Sequence, residues 1–322
     1  MAQRTICFLI LPHVHLMDLS GPAQVFFEAS ALGTDQYRLI YAGVTDTESS
    51  EQGLTLGNLQ PFKDISLNAG DFVFVPGIDF KNFAAGAHTS SIKKIAPWLK
   101  AQKAKGVFLA SICSGSLILA AAGVLDGVQC TTHWKCVDYM KTHYPKTDVL
   151  TDQLYVNDKQ VYTSAGMTSG IDMALSIIEH YQGPVISAKV AREMVVYIRR
   201  NNTDRQQTIY LDYQTHFNPA IHKVQDFIIS NPDKNPGLAE LASVCHLSVR
   251  NLTRLFKQAT GHTIIEFKRA VKLELARTLL NNPEYTVEKV ASLCGFQSAR
   301  HLRRVWKSET GEALRGHIGQ KG

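Results

Sequence analysis

The sequence predicts two domains of different class: an α/β domain, then an all-α domain built from two helix-turn-helix units. Three observations lead there. Short apolar runs alternate with helix-like segments through the first half of the chain. Near the C-terminus, one pattern of apolar residues and punctuation occurs twice, 49 residues apart up to a cysteine and 50 apart from a serine onward. The formal charge of +6 gathers around that repeat: residues 220–322 hold 16 Lys/Arg against 9 Asp/Glu, whereas residues 1–219 hold 18 against 19.

In the N-terminal part, Thr5–Leu11, Phe72–Val75, Val107–Ala110 and Val161–Thr163 are apolar runs that predict strands. Between them Pro22–Leu32, Ser91–Lys103, Ser116–Ala122 and Ser169–Gln182 predict helices. Continuous apolar strands alternating with helices imply a parallel sheet covered on both faces. Val107-Phe108-Leu109-Ala110-Ser111-Ile112-Cys113-Ser114-Gly115-Ser116 then reads as a strand turning sharply into a helix, the setting of a nucleophile elbow. A cysteine at that helix N-terminus is expected to have a lowered pKa, and the N–H groups after it can hold an oxyanion or carboxylate. The competing reading of Cys113 is a small buried residue that the elbow tolerates.

This part resembles the DJ-1/PfpI family, within the class I glutamine-amidotransferase-like superfamily. The resemblance rests on Leu16-Met17-Asp18-Leu19-Ser20-Gly21-Pro22, Ser111-Ile112-Cys113-Ser114-Gly115, Thr131-Thr132-His133-Trp134, Thr163-Ser164-Ala165-Gly166 and Gly170-Ile171-Asp172. It implies a flavodoxin-like parallel sheet and a site of Asp18, Cys113 and His133, with Ser114 beside them as a ligand contact. Hydrolase and glyoxalase-type members carry Glu where Asp18 stands; an isonitrile hydratase branch carries Asp with Cys-Thr, which Asp18 with Cys113-Ser114 resembles. Asp18 can equally cap a helix beginning near Ser20-Gly21-Pro22, and His133 can equally be a structural histidine.

Ala191–Tyr197 still reads as helix, after which Arg199–Gln207 loses all hydrophobic period. The expected division is a domain over 1–198, a linker over 199–218 and a second domain over 219–318, with Tyr210–Phe217 docking on a neighbouring domain.

The repeat occupies about 238–261 and 287–311. In copy one, Leu238, Leu241, Ala242 and Val244 form an apolar face, Cys245-His246-Leu247 a turn, and Ser248 an N-cap. The next helix is expected to bury Val249, Leu252, Leu255 and Phe256, stopping at Gly261. Copy two follows with Thr286 as cap, Gly295-Phe296 in the turn, Ser298 as second cap, and Leu302, Val305 and Trp306 inward. Between them Thr263–Asn281 reads as one amphipathic helix with Ile264, Phe267, Val271, Leu275 and Leu279 inward. Such a helix can hold two recognition helices in successive major grooves, about 34 Å apart. Residues at the start of a recognition helix reach base edges. Arg250, Asn251, Arg254, Arg300, His301 and Arg304 are therefore assigned to bases, and Lys257, Arg303 and Lys307 to phosphates; Ser248 and Ser298, which cap the two helices, are counted with them as DNA-binding residues.

This segment resembles the AraC/XylS family of transcription regulators, through Leu238–Ala242, Ser248–Lys257, Thr260-Gly261, Val290–Phe296 and Trp306–Gly311. The text Arg300-His301-Leu302-Arg303-Arg304 is more basic than usual there. Together the two resemblances imply a sequence-specific DNA-binding regulator, read as an activator, that responds to a small, nitrogen-containing metabolite. Double-stranded DNA, a small-molecule effector, RNA polymerase and a second copy of the chain are the expected partners. The alternatives are a cysteine-dependent hydrolase or hydratase with a DNA-binding tail, and a thiol redox sensor.

Bulk properties exclude other classes. The composition, 45% hydrophobic and 19% charged over 322 residues, is that of a globular chain. No run of about 18 uncharged apolar residues predicts a membrane span, and Met1-Ala2-Gln3-Arg4 runs into a strand without a signal peptide. Six cysteines without a Cys-x-x-Cys pair suit reduced thiols in the cytoplasm, with no zinc site, metal or cofactor expected.

Overall fold

The computed structural model describes residues 3–151, 153–196, 200, 216, 218–280, 284–310 and 313–314. They fall into two compact units, 1–206 and 207–322.

The first unit has β1 (Gln3–Ile10), β2 (Gln36–Gly43), β3 (Glu48–Ser49), β4 (Thr55–Leu56), β5 (Gln60–Pro61), β6 (Phe72–Val75), β7 (Phe108–Ile112), β8 (Gln129–Cys130), β9 (Asp148–Val149), β10 (Tyr155–Asp158) and β11 (Val161–Ser164). Seven of them form one sheet in the order β10-β11-β7-β6-β1-β2-β5. Its pairs are parallel except β10 with β11, so an antiparallel edge strand closes an otherwise parallel sheet. The helices are α1 (Leu16–Leu32), α2 (Phe80–Ala84), α3 (Thr89–Ala104), α4 (Gly115–Ala121), α5 (Val137–His143), α6 (Thr168–Gln182) and α7 (Pro184–Glu193).

β6 explains the two-sided core. Its four residues are all buried, with Phe72 and Phe74 in one apolar cluster and Val73 and Val75 in the other. Period-2 alternation sends successive side chains to opposite faces, so a continuous apolar run is what a doubly covered strand requires. Each fully buried Phe contributes roughly 1.5–3 kcal/mol.

The apolar runs mark β1, β6, β7 and β11 correctly, but they pass over β2 and β10. β2 opens on Gln36 and Arg38, both exposed, and only its second half, Leu39-Ile40-Tyr41-Ala42, is an apolar run. Helix α1 begins at Leu16, not Pro22, which places Asp18 inside its first turn and Pro22 within the helix. The 191–197 segment is also corrected: α7 stops at Glu193, and Val195 has φ 54. Of the expected linker, Arg200 is fixed to the first unit, its guanidinium donating to Asp172 at 2.6 and 2.9 Å. Residues 201–215, and with them most of Tyr210–Phe217, lie outside the described residues.

The second unit contains α8 (Pro219–Ser230), α9 (Leu238–Val244), α10 (Val249–Thr260), α11 (Ile264–Leu280), α12 (Val287–Leu293) and α13 (Ala299–Thr310). Asn281 and Gly311 lie outside the described residues. Two apolar cores result. Leu241, Leu252, Phe256, Ile264, Phe267 and Val271 join α8 residues in one; Leu273, Ala276, Val290, Phe296 and Leu302 form the other. Val249 is not buried as expected: at the first position of α10 it is 39% exposed.

Candidate functional site

Loops at the C-terminal ends of β1, β6, β7 and β11 meet around Cys113, where ligands bind in open α/β sheets. Cys113 has φ 57, a left-handed conformation that costs a non-glycine residue about 1–3 kcal/mol. Several contacts impose it. Cys113 N–H donates to Ser164 O at 2.9 Å. The Cys113 carbonyl accepts from Ser116 Oγ at 3.0 Å and Thr132 Oγ1 at 3.3 Å.

Three glycines make the room. A Cβ on Gly115 would fall 2.1 Å from Val75 O, so α4 starts hard against the end of β6. One on Gly77 would fall 2.2 Å from Asp18 Oδ2, 2.9 Å from Cys113 Cβ and 3.2 Å from Ser114 Oγ. One on Gly166, at φ 126, would fall 2.8 Å from Cys113 Sγ. Asp18 and Cys113 are therefore brought together.

Asp18 is fully buried and its Oδ1 accepts from Met167 N–H at 2.7 Å. Oδ2 is buried without a partner of good hydrogen-bond geometry, on the side of Gly77 and Cys113. Burial raises the Asp18 pKa, against the opposing pull of Met167 N–H, His15 and the Cys113 thiol. Cys113 departs from the expected low pKa. Burial first, then the Asp18 charge, pushes its thiol well above the usual value, and hydrogen bonds from Ser114 only partly offset this. Four other buried thiols, Cys7, Cys130, Cys136 and Cys294, are pushed up to about 12.

Ser114 is tied up. Its Oγ donates to Ile78 O at 2.6 Å and accepts from Ile78 N–H at 2.8 Å, fastening the elbow to the loop after β6. His133 is half-buried, and its Nδ1 accepts from Lys135 N–H at 3.3 Å. Burial, Lys135 and then His15 lower its pKa. His15 went unnoticed in the sequence. Its backbone N–H donates to Gly77 O at 2.8 Å, its Nε2 is buried without a partner, and it acts electrostatically on both Asp18 and His133. Only its place two residues before the Leu16–Pro22 motif's Met17 could have flagged it. Exposed Met17, Trp134 and Met167 flank these residues in the chain. Among the described residues, no group of three or more His, Cys, Asp or Glu could hold a metal. No helix among them is long and apolar enough to cross a membrane.

The second site is the surface of α10 and α13. The turns before them close alike. His246 N–H donates to Ser243 O at 3.1 Å and Leu247 N–H to Ala242 O at 2.9 Å; Gly295 N–H donates to Ser292 O at 3.0 Å and Phe296 N–H to Ala291 O at 2.8 Å. Each is a Schellman motif with its left-handed residue at His246 or Gly295, φ 56 and 65. Ser248 Oγ then accepts from Asn251 N–H at 3.2 Å and Ser298 Oγ from His301 N–H at 3.1 Å, so both serines cap. Gly261 ends α10 with φ 77.

Arg250, Arg254 and Lys257 are exposed on α10, and Arg300, Arg303, Arg304 and Lys307 on α13. Arg254 is braced by Asn251 Oδ1 at 2.9 Å and Gln258 Oε1 at 3.3 Å. Arg303 lies 3.7 Å from Glu288. His301 packs edge-on to Phe296, with its Nδ1 buried. A groove of about 670 Å³ runs between α10 and the start of α11, walled by Arg250, Arg254, Lys257, Ile264 and Ile265.

Known proteins match both units. Residues 4–180 match the DJ-1/PfpI family, and residues 241–316 match a helix-turn-helix domain. The HTH-type transcriptional regulator GbdR of Pseudomonas aeruginosa is 29% identical over 312 residues, 96% of this chain and 82% of that protein. The isonitrile hydratase of Pseudomonas putida is 32% identical over 183 residues, 55% of this chain and 72% of the hydratase. A solved AraC family transcriptional regulator from Pseudomonas putida shares the fold with a TM-score of 0.51 at 18% identity, over 59% of this chain and 99% of that one.

Proposed function

The chain belongs to the DJ-1/PfpI family and carries an AraC-type helix-turn-helix domain behind it, and from that premise we propose how it works. It binds duplex DNA through α10 and α13 and regulates transcription. Arg250, Asn251, Arg254, Arg300, His301 and Arg304 face base edges; Lys257, Arg303 and Lys307 face phosphates, with Ser248 and Ser298 holding the helix starts. The observation that carries this reading is the pair of matched turns, each presenting a capped helix with exposed arginines. Phosphate contacts set the register and base-edge contacts supply the sequence preference.

The elbow unit decides when. A small nitrogen-containing metabolite enters beside Asp18, Cys113, His133 and His15, and its differential affinity for two arrangements of the chain shifts DNA binding. Activation through RNA polymerase, pairing of two copies and a cytoplasmic setting belong to the same proposal. Selection of random duplexes by the full chain tests it: a recurrent motif is expected, and a pool that never enriches would overturn it.

The Asp18–Cys113 contact favours one further reading, a hydratase or hydrolase in which Asp18 takes the thiol proton. A thiol held well above its usual pKa is a poor nucleophile at neutral pH, which favours the sensor. Thiol alkylation separates them. Cys113 is expected to react slowly at pH 7.5 and faster as pH rises. Asp18→Asn removes a charge that raises the thiol pKa and should speed the reaction severalfold. Fast alkylation of the unaltered chain at neutral pH, together with turnover lost in Cys113→Ala, would favour the enzyme.

A further inference from the structure

Among the described residues, α11 is the helix that enters both cores of the second unit. Its first half supplies Ile264, Phe267 and Val271 to one, and its second half Leu273 and Ala276 to the other. A shared helix alone leaves each recognition helix dependent on packing along a single rod. Away from that rod the two halves meet through polar atoms, and those atoms gather on Lys272.

Lys272 leaves α11 between the two cores and is only 8% exposed. Its Nζ donates to Asn235 Oδ1 at 2.6 Å and to Gly295 O at 2.7 Å. The same amine stands 5.6 Å from the centroid of the Phe296 ring. Asn235, at φ 50, donates its own Nδ2 to Gly295 O at 3.2 Å. One turn earlier, Lys268 Nζ donates to Pro236 O at 2.7 Å. The backbones come close as well: a Cβ on Gly295 would lie 2.7 Å from Asp233 O and 2.9 Å from Pro232 O. The loop leading into the first helix-turn-helix is thus fastened to the turn of the second. Lys268, Cys294 and Asp233 are the other ionisable groups acting on the amine.

Burying an ammonium is costly unless its donors are met. Here two oxygens and a ring face meet them, and they admit the amine in one place only. An apolar side chain would fill the same space without choosing a register between the halves. Gly295 and Phe296 lie three and two residues before Ser298, the cap of α13, so whatever fixes this turn fixes the start of that recognition helix.

We propose that Lys272 is a positioning residue for DNA recognition. It holds α13 at one rotation and separation relative to α10, so that the chain reads two DNA segments at a single spacing. This rests on the DNA-binding reading above.

The test uses the full chain and the duplex it selects, with and without one base pair inserted between the two contacted segments. Such an insertion moves the second segment by about 3.4 Å and turns it by about 34°. The unaltered chain should lose at least about tenfold in affinity on insertion, the size of one mismatched contact or more. Lys272→Met should bind the uninserted duplex more weakly and lose less than about threefold on insertion, with the slope of affinity against salt unchanged. Asn235→Ala keeps the lysine, removes one acceptor, and should move the same way by a smaller amount. Equal insertion penalties in all three proteins would overturn the proposal. Should circular dichroism show Lys272→Met unfolded, the Asn235→Ala penalty decides alone. Absence of duplex binding by the unaltered chain would instead overturn the DNA-binding reading and this proposal with it, a result distinct from binding with an unchanged penalty.

Discussion

The two helix-turn-helix copies share a backbone and differ in what surrounds it. Both turns place one residue in the left-handed region, His246 at φ 56 and Gly295 at φ 65, and close with the same pair of hydrogen bonds. Copy one leaves that residue exposed. Copy two sets it against Asp233 and Pro232, where no Cβ fits. The dihedral alone therefore tolerates a histidine; the neighbouring chain demands a glycine. The inserted residue of copy two falls in the same stretch, since five residues separate α12 from α13 and four separate α9 from α10.

The reciprocal exchange is the sharpest way to break this comparison. Gly295→His should destabilise the second unit by about 3 kcal/mol or more, because the left-handed conformation and the backbone clash add. Urea unfolding followed by tryptophan fluorescence reads it through Trp306, and an unchanged midpoint would mean the turn can move aside. The recognition helices differ next. Arg254 is braced by Asn251 and Gln258, whereas no acid pairs with Arg300 or Arg304 among the described residues. Arg304→Ala should cost about 1–3 kcal/mol and relax preference at one base position. Titrating the selected duplex and its single-base variants would show this. The caps come after: Ser248→Ala and Ser298→Ala should each cost about 1 kcal/mol of unfolding free energy. Smallest is His246→Gly, which relieves the left-handed strain but frees the unfolded chain, and should stay within about 1 kcal/mol of the original.

Much of this was legible in the residues because local rules agree with the fold in the second unit. Ser248, Thr286, Ser298 and Gly261 do there what caps do anywhere. Val249 misled: at the first position of α10 it is 39% exposed, whereas Val287, at the first position of α12, is buried, so hydropathy at that position does not settle which way the residue faces. In the first unit the apolar runs marked the central strands, while β2, whose first half sets exposed Gln36 and Arg38 around buried Tyr37, escaped. The elbow was legible as a turn but not as an environment. Dipole arguments lower a cysteine pKa, and burial with a facing carboxylate, which spacing does not reveal, reverses the sign at Cys113. His15 and Lys272 were illegible for one reason: each owes its role to long-range partners, Gly77 for the first and Asn235 with Gly295 for the second.

The central claim is that α10 and α13 bind duplex DNA through their basic faces. Affinity of the full chain for its selected duplex, measured across salt concentrations, tests it most directly. Each phosphate neutralised contributes about −0.9 to the slope of log affinity against log salt. A steep negative slope is predicted, shallower by about 3 in a variant carrying Lys257→Ala, Arg303→Ala and Lys307→Ala together. A slope near zero, or one that the triple variant leaves unchanged, would contradict the account.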